Sequence, residues 1–278
     1  SDPPVVLYCK GNIDLLNSLS IAVVGCRRAS VYGMTTAEKF SQGLCDHGLT
    51  VVSGLARGID TAAHRGALRA KGKTIAVLGS GLAQIYPPEN KKLFEEIAQD
   101  SLVISEFPMN ELPKAKNFPC RNRIVSGLSL GVIVVEAAQK SGALITADLA
   151  LEQGREVFAV PGKVDSVSAQ GVNTLIKQGA KLVTCIDDVL DEFPSLNLSK
   201  VLKEKIVFDN KNSLPLKSLS QEEKGVYQLL SSSPLGIDTL SHQSQLPASR
   251  LFTILLSLEL KGLIKQMPGK LIRPFSSK

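Results

Sequence analysis

The chain has 278 residues, 44% of them hydrophobic and 21% charged, with a formal net charge of +6. That length suits one large α/β domain with a small second one, and no stretch approaches the ~20 apolar residues of a membrane span. Five scattered cysteines (Cys9, Cys26, Cys45, Cys120, Cys185) without a C-x-x-C pair argue against a disulfide framework or a zinc site and for a reducing, cytoplasmic compartment.

The charge is uneven. From residue 198 onward there are 12 Lys and Arg against 6 Asp and Glu, whereas the preceding stretch carries 20 of each. A neutral main domain binds a polyanion only if its basic groups gather on one face.

The first residues, SDPPVVLYCK, lack the basic-then-apolar order of a signal peptide. Residues 21–25 (IAVVG) form an apolar, β-branched run ending in Gly25, which predicts a central parallel strand. A loop follows with adjacent Arg27 and Arg28, then a helical pattern over 31–48. The stretch VVSGLARGIDTAAHRGAL (51–68) repeats the plan: a buried strand, a sharp turn at Ser53 and Gly54, and a helix with Asp60 early and His64 one turn on. Such a turn leaves backbone N–H groups aimed at one spot that favours phosphate, and Arg57 adds a second contact. The same turn also fits a tight packing corner.

Further strands are expected at 74–78, 102–105, 132–135, 156–160 and 181–184, with helices at 91–99, 142–153 and 172–178. This alternation predicts a Rossmann-like, doubly wound, mostly parallel sheet whose ligands sit beyond the carboxyl ends of the strands. The G-x-G-x-x-G fingerprint is absent: after Gly25 the next glycine is Gly33, and Gln84 holds the third position after Gly79 and Gly81. NAD or FAD therefore has little support, and no cofactor is expected. Residues 110–123 (NELPKAKNFPCRNR) form the longest irregular stretch, with Lys114, Lys116, Arg121 and Arg123 around Phe118. Cations interleaved with a ring suit single-stranded nucleic acid; a buried Phe118 inside a solvated rim fits equally well.

Ser53, Asp60 and His64 are the pieces of a hydrolytic triad, but that mechanism needs the His between nucleophile and acid, and Ser53 reads better as a cap. Three histidines in the whole chain make a catalytic metal improbable. Glu136, ending its strand, suits a ribose hydroxyl or an anchor for the neighbouring loop.

Residues 198–216 read as a polar linker between a first domain (1–197) and a second (217–278). In the second, a capping box at Ser220 opens a helix to about 230, shorter and longer helices follow at 238–242 and 247–261, and a hairpin turns around Pro268, Gly269 and Lys270. Three helices and a wing spell a winged helix. Its third helix offers one Arg, Arg250, beside Thr253 and Ser257, which favours non-specific DNA or protein contact over sequence readout. Lys265, Lys270 and Arg273 on the wing are in reach of phosphates.

Taken together, VVGCRRASVYG (23–33), VVSGLARGIDTAAHRGAL (51–68), AVLGSGLAQIYPPEN (76–90), ISEFP (104–108), NFPCRNRIVSGLS (117–129), VVEAAQKSGALITADLALEQGREVFAVPG (134–162) and QGVNTLIKQGA (170–180) resemble the DNA-processing protein A family, DprA/Smf. They run in the family's order over most of the first domain. The usual G-S-R or G-T-R after the first strand is Gly25-Cys26-Arg27 here, and the small helical domain many members carry ahead of the Rossmann domain has no counterpart in the sequence.

The resemblance implies a protein that is not an enzyme. It would bind single-stranded DNA, dimerise through the Rossmann domain, protect incoming strands in natural transformation and help load the RecA recombinase. Carried onto this sequence, phosphate contacts fall to Arg27 and to the segment holding Lys116, Phe118, Arg121, Asn122 and Arg123. Close backbone approach falls to Gly54, Arg57 and Gly58; Gly25, Arg28 and Ser53 complete the set. The alternative is a phosphoribohydrolase-like nucleotide enzyme, although Pro161-Gly162-Lys163 fails the P-G-G-x-G-T segment typical of those. A third reading makes the tail a sequence-specific regulator.

Overall fold

Alternate residues of each central strand are apolar on both sides, so each strand needs a helical layer on both of its faces. The computed structural model, which describes residues 2–194, 221–230, 235–244, 246–260, 264–267 and 271–274, supplies them. The chain divides into two compact units, Ser1–Ile206 and Val207–Lys278.

In the first unit the strands are β1 (Tyr8–Gly11), β2 (Ser20–Val24), β3 (Thr50–Ser53), β4 (Thr74–Val77), β5 (Leu102–Ser105), β6 (Gly131–Val134), β7 (Glu156–Ala159) and β8 (Lys181–Leu182). The helices are α1 (Val31–Asp46), α2 (Ile59–Arg69), α3 (Lys91–Asp100), α4 (Asn117–Gly127), α5 (Gly142–Glu152), α6 (Gln170–Lys177) and α7 (Ile186–Leu190). One sheet runs β1-β5-β4-β3-β2-β6-β7-β8, parallel throughout except for β1. Ile21 and Val23 of β2 pack with Phe40 and Leu44 of α1 and Ala63 of α2. Ala22 and Val24, one residue out of phase, pack with Ile124 and Val125 of α4 and Ala147 of α5. This is the doubly wound architecture that the alternation predicts.

Three local expectations change. The segment 110–123 is not irregular to its end: α4 begins at Asn117, with Pro119 inside its first turn, where the missing N–H costs nothing. Its mixed charges hide the helical period. Residues 181–184 keep only two residues as strand. Tyr8–Gly11, which shows no strand pattern of its own, becomes one by pairing antiparallel with β5, from Tyr8 opposite Ser105 to Gly11 opposite Leu102.

The second unit contains α8 (Gln221–Leu230), β9 (Leu235–Gly236), α9 (Ile237–Ser244), α10 (Ala248–Leu260), β10 (Ile264–Met267) and β11 (Leu271–Pro274). Val226, Leu240, Leu251, Leu255, Ile264 and Ile272 form its core under a β10-β11-β9 sheet, a winged helix with one more short strand than expected. Arg250 pairs with Glu222 at 3.0 Å, which removes the one arginine on that helix considered for base reading. The linker at 198–216, Ser220 and the hairpin tip with Lys270 lie outside the described residues, as do the side chains of Lys265 and Arg273. Among the described residues no helix is long and apolar enough to cross a membrane.

Candidate functional site

The strand order reverses between β2 and β6, so the connections after these strands leave on opposite sides and open a crevice at their carboxyl ends. A cavity of about 470 Å³ occupies that place. Gly25, Cys26 and Arg27 after β2 form one wall, Phe118, Arg121 and Asn122 of α4 another, and Lys140, Ser141 and Gly142 at the start of α5 a third. Gly54 and Ala56 close the floor.

The turn after β3 is not the open amide nest that its sequence predicts. Asp60 Oδ2 accepts from the Gly54 N–H at 3.1 Å and the Ala56 N–H at 3.3 Å, and the Ile59 N–H donates to the Cys26 carbonyl at 3.3 Å. These three amides are already taken and offer nothing to a phosphate. The glycines serve close packing of the protein on itself. Gly58 has φ +74°, and a Cβ there would strike the carbonyls of Cys26 and Arg27. A Cβ on Gly54 would lie 2.5 Å from Arg121 Nη2, and one on Gly25 2.5 Å from Ile59 Cγ1.

Nor is a triad assembled. Ser53 Oγ donates to the Val23 carbonyl at 2.7 Å, so it ties β3 to β2 and caps nothing. His64 Nδ1 lies 2.7 Å from Thr74 Oγ1, whose own proton goes to the Val51 carbonyl; Nδ1 therefore carries the ring proton and Nε2 is buried without a partner. Burial, then the Arg121 charge, pushes His64 down to about 3. A base whose folded pKa is depressed favours the native state above its unfolded value near 6.5, and that advantage is lost as pH falls towards 3. His64→Gln is expected to flatten the decline between pH 6.5 and 4.5, where the wild type loses up to about 1.4 kcal/mol per pH unit from this group. Urea unfolding of both proteins across that range measures it; parallel curves would refute it.

The six candidate cations have different fates. Arg27 and Arg28 are exposed, and the Arg27 guanidinium carbon lies 5.0 Å from the centre of the Phe118 ring. Arg57, half exposed, is paired with Glu89. Arg121 is only 4% exposed and donates to the carbonyls of Gly54, at 2.8 Å, and Val77. Burial lowers its pKa to about 10, which leaves it charged at neutral pH. Arg123 holds Glu106 and Asp2 with its side chain 16% exposed. Lys116, at the head of α4, is exposed. Arg121 and Arg123 thus belong to the framework and not to the open rim, because α4 turns its 121 position inward and its 123 position onto Glu106.

Asn122 donates to the Gly142 carbonyl at 3.2 Å, linking α4 to α5. Glu136 accepts from the Ser30 N–H at 2.9 Å and from Ser168 Oγ at 2.6 Å, and Cys26 Sγ lies at 3.7 Å. Both of its oxygens are engaged with neighbouring loops, so it serves as the loop anchor. Burial and this carboxylate push the Cys26 thiol up to about 12.

Sequence reasoning missed Lys140, an exposed cation on the cavity wall. Its signal is its place just before Ser141, the residue that caps α5 by accepting from the Ala143 N–H. It missed Tyr86 too, whose ring centre is 5.6 Å from that of Phe118.

Sheet, crevice and appended module define an α/β protein of Rossmann type carrying a winged helix. Residues 1–194 match the family model of DNA recombination-mediator protein A, and residues 211–270 that of the DprA winged helix domain. The chain belongs to the DprA/Smf family. It is 53% identical over 192 residues to DNA processing protein DprA of Streptococcus pneumoniae, covering 69% of this chain and 68% of the relative. It is 41% identical over 278 residues to Protein Smf of Escherichia coli, covering 98% and 72%. The X-ray structure of the S. pneumoniae protein superposes with a TM-score of 0.67 at 53% identity, over 68% of this chain and 67% of that one. DNA processing protein A from Helicobacter pylori, a structure described for its single-stranded DNA binding mode, superposes with a TM-score of 0.64 at 33% identity, over 73% and 90%.

Proposed function

We propose that the chain is a single-stranded-DNA-binding recombination mediator whose DNA site is the crevice between β2 and β6. The observation that carries this reading is that the exposed cations Arg27 and Lys140 line one cavity together with the Phe118 ring, with exposed Arg28 and Lys116 next in sequence to lining residues Arg27 and Ala115, in a stretch with no net charge to offer. Cations around a ring hold phosphates and stack a base without reading sequence. The H. pylori relative's binding of single-stranded DNA supports the same reading.

In this proposal the protein acts in the cytoplasm, guards incoming strands and passes them to a RecA-type recombinase, and it is not an enzyme. Its Rossmann domain, residues 1–197, pairs with a second copy, joined by a linker at 198–216 to a tail at 217–278. A groove lined by Val164, Ile176 and Leu182 favours such pairing, because Val164 is 91% exposed and Leu182, on the two-residue edge strand β8, 46%.

Fluorescence anisotropy with single- and double-stranded oligonucleotides across a salt series, on the whole chain and on residues 1–197, tests the proposal. Tighter single-strand binding retained by 1–197 is expected, with log K falling about 0.7 per phosphate held for each decade of salt. Equal affinity for both forms, or no salt slope, would overturn it. Release of free base from nucleoside monophosphates would favour the phosphoribohydrolase reading instead.

A further inference from the structure

Beside the crevice the side chains form an ordered series. The Arg27 guanidinium lies over Phe118, Phe118 lies 5.6 Å from Tyr86 at an interplanar angle of 52°, and the Arg57 guanidinium carbon sits 5.9 Å from the centre of the Tyr86 ring. Cation, ring, ring and cation thus follow one another along a shallow hollow floored by Gly54 and Ala56. Both rings are held from behind. A Cβ on Gly79 would come 2.7 Å from Phe118 Cδ1, so that ring rests on bare backbone. The Tyr86 loop is pinned by Asn90 Nδ2, which donates to the Leu55 carbonyl at 2.9 Å and to Thr61 Oγ1 at 2.8 Å. Ser80 Oγ closes the loop's other end on the Gln84 carbonyl at 2.6 Å.

A guanidinium is flat, delocalised and weakly hydrated, and the ring face it covers also accepts a nucleobase. Arg57 is meanwhile held by Glu89, whose carboxylate takes its Nε and, at 3.1 Å, its Nη2. The two side chains are 49% and 51% exposed, and a surface pair of this kind holds its partner weakly enough for a phosphate to replace the carboxylate.

We propose that single-stranded DNA leaves the crevice over Phe118 and continues across Tyr86, a second stacking surface, to Arg57, where a phosphate displaces Glu89. This rests on the crevice being the DNA site. The strand then has one path along this rim, and Glu89 acts as an internal competitor that keeps Arg57 ordered while the site is empty.

The test uses the whole chain, an oligothymidylate, and an abasic oligomer of the same length. Tyr86→Ala is expected to weaken oligothymidylate binding about tenfold and to leave the abasic oligomer unaffected, while Tyr86→Phe keeps wild-type affinity. Glu89→Gln is expected to tighten binding about threefold at low salt and to steepen the salt slope by about 0.7. An equal loss on both oligomers, or none, would overturn Tyr86 as a stacking surface. Unchanged affinity in Glu89→Gln would overturn the competition at Arg57. If Arg27→Ala weakens binding while the Tyr86 and Glu89 variants do not, the crevice stands and only this extension fails. If the wild type binds neither oligomer, the crevice reading fails with it.

Discussion

Glutamate at both Arg27 and Lys140 is expected to lower affinity for single-stranded DNA about a hundredfold at 0.1 M salt, with no change in the unfolding midpoint. The two groups stand on different walls of the crevice, Arg27 after β2 and Lys140 just before α5, and both are exposed. Neither takes part in an ion pair among the described residues, and the support that buried Asp60 loses when Arg27 changes sign is offset by the repulsion relieved at Arg121. A charge-assisted bond from each to a phosphate is worth about 1.5 kcal/mol at the low end suited to exposed groups, and two make about two decades in affinity. Losing two phosphate contacts also removes about 1.4 from the salt slope, an independent reading of the same event. Reversing Lys39 on α1 and Lys73 at the amino end of β4, which are exposed at other places on the domain, changes net charge equally and serves as the control. If both double variants weaken binding alike, the effect is bulk charge and the crevice has no special role.

Arg121→Met is expected to destabilise the first unit by about 3–5 kcal/mol, the usual cost of taking one partner from a buried charged cluster. The side chain joins α4 to the turns after β3 and β4 through the Gly54 and Val77 carbonyls. Its charge also offsets that of buried Asp60, whose pKa is raised by burial and lowered in part by Arg121. Methionine fills the volume but leaves two carbonyls without donors. Lysine does not rescue the site, because a point-like ammonium lacks the planar fork that spans both carbonyls. Asp60→Asn is expected to cost clearly less, since its amide oxygen still accepts from Gly54 and Ala56. Urea unfolding of the three variants measures this order. A loss below about 1 kcal/mol in Arg121→Met would mean that the cluster contributes no net stability. Because α4 also carries Phe118 and Asn122 and is headed by Lys116, single-strand binding is expected to fall in parallel in this variant.

The alternation of strands with helices, the winged tail and a crevice beyond the strand ends were legible in the chain itself. These follow from local chemistry: apolar β-branched runs such as Ile21–Val24, the Gly25 and Gly54 corners, and a period that changes from two to 3.6. The edge strand Tyr8–Gly11 was not legible, because its strand character comes from its neighbour β5. The start of α4 was hidden by Pro119 and a crowd of charges.

Within the site, residue type alone marked Arg27, Arg121 and Arg123 as equals. Only the packed structure separates an open guanidinium lying on Phe118 from one buried among carbonyls and one tied to Glu106. The same holds for the Gly54 and Ala56 amides after β3, which a sequence shows as free donors and which the Asp60 carboxylate, folding back from the head of α2, already satisfies. Local patterns determine where the backbone turns. Whether a charge or an N–H at that turn remains available depends on every group packed around it, and that is settled only when the chain has closed on itself.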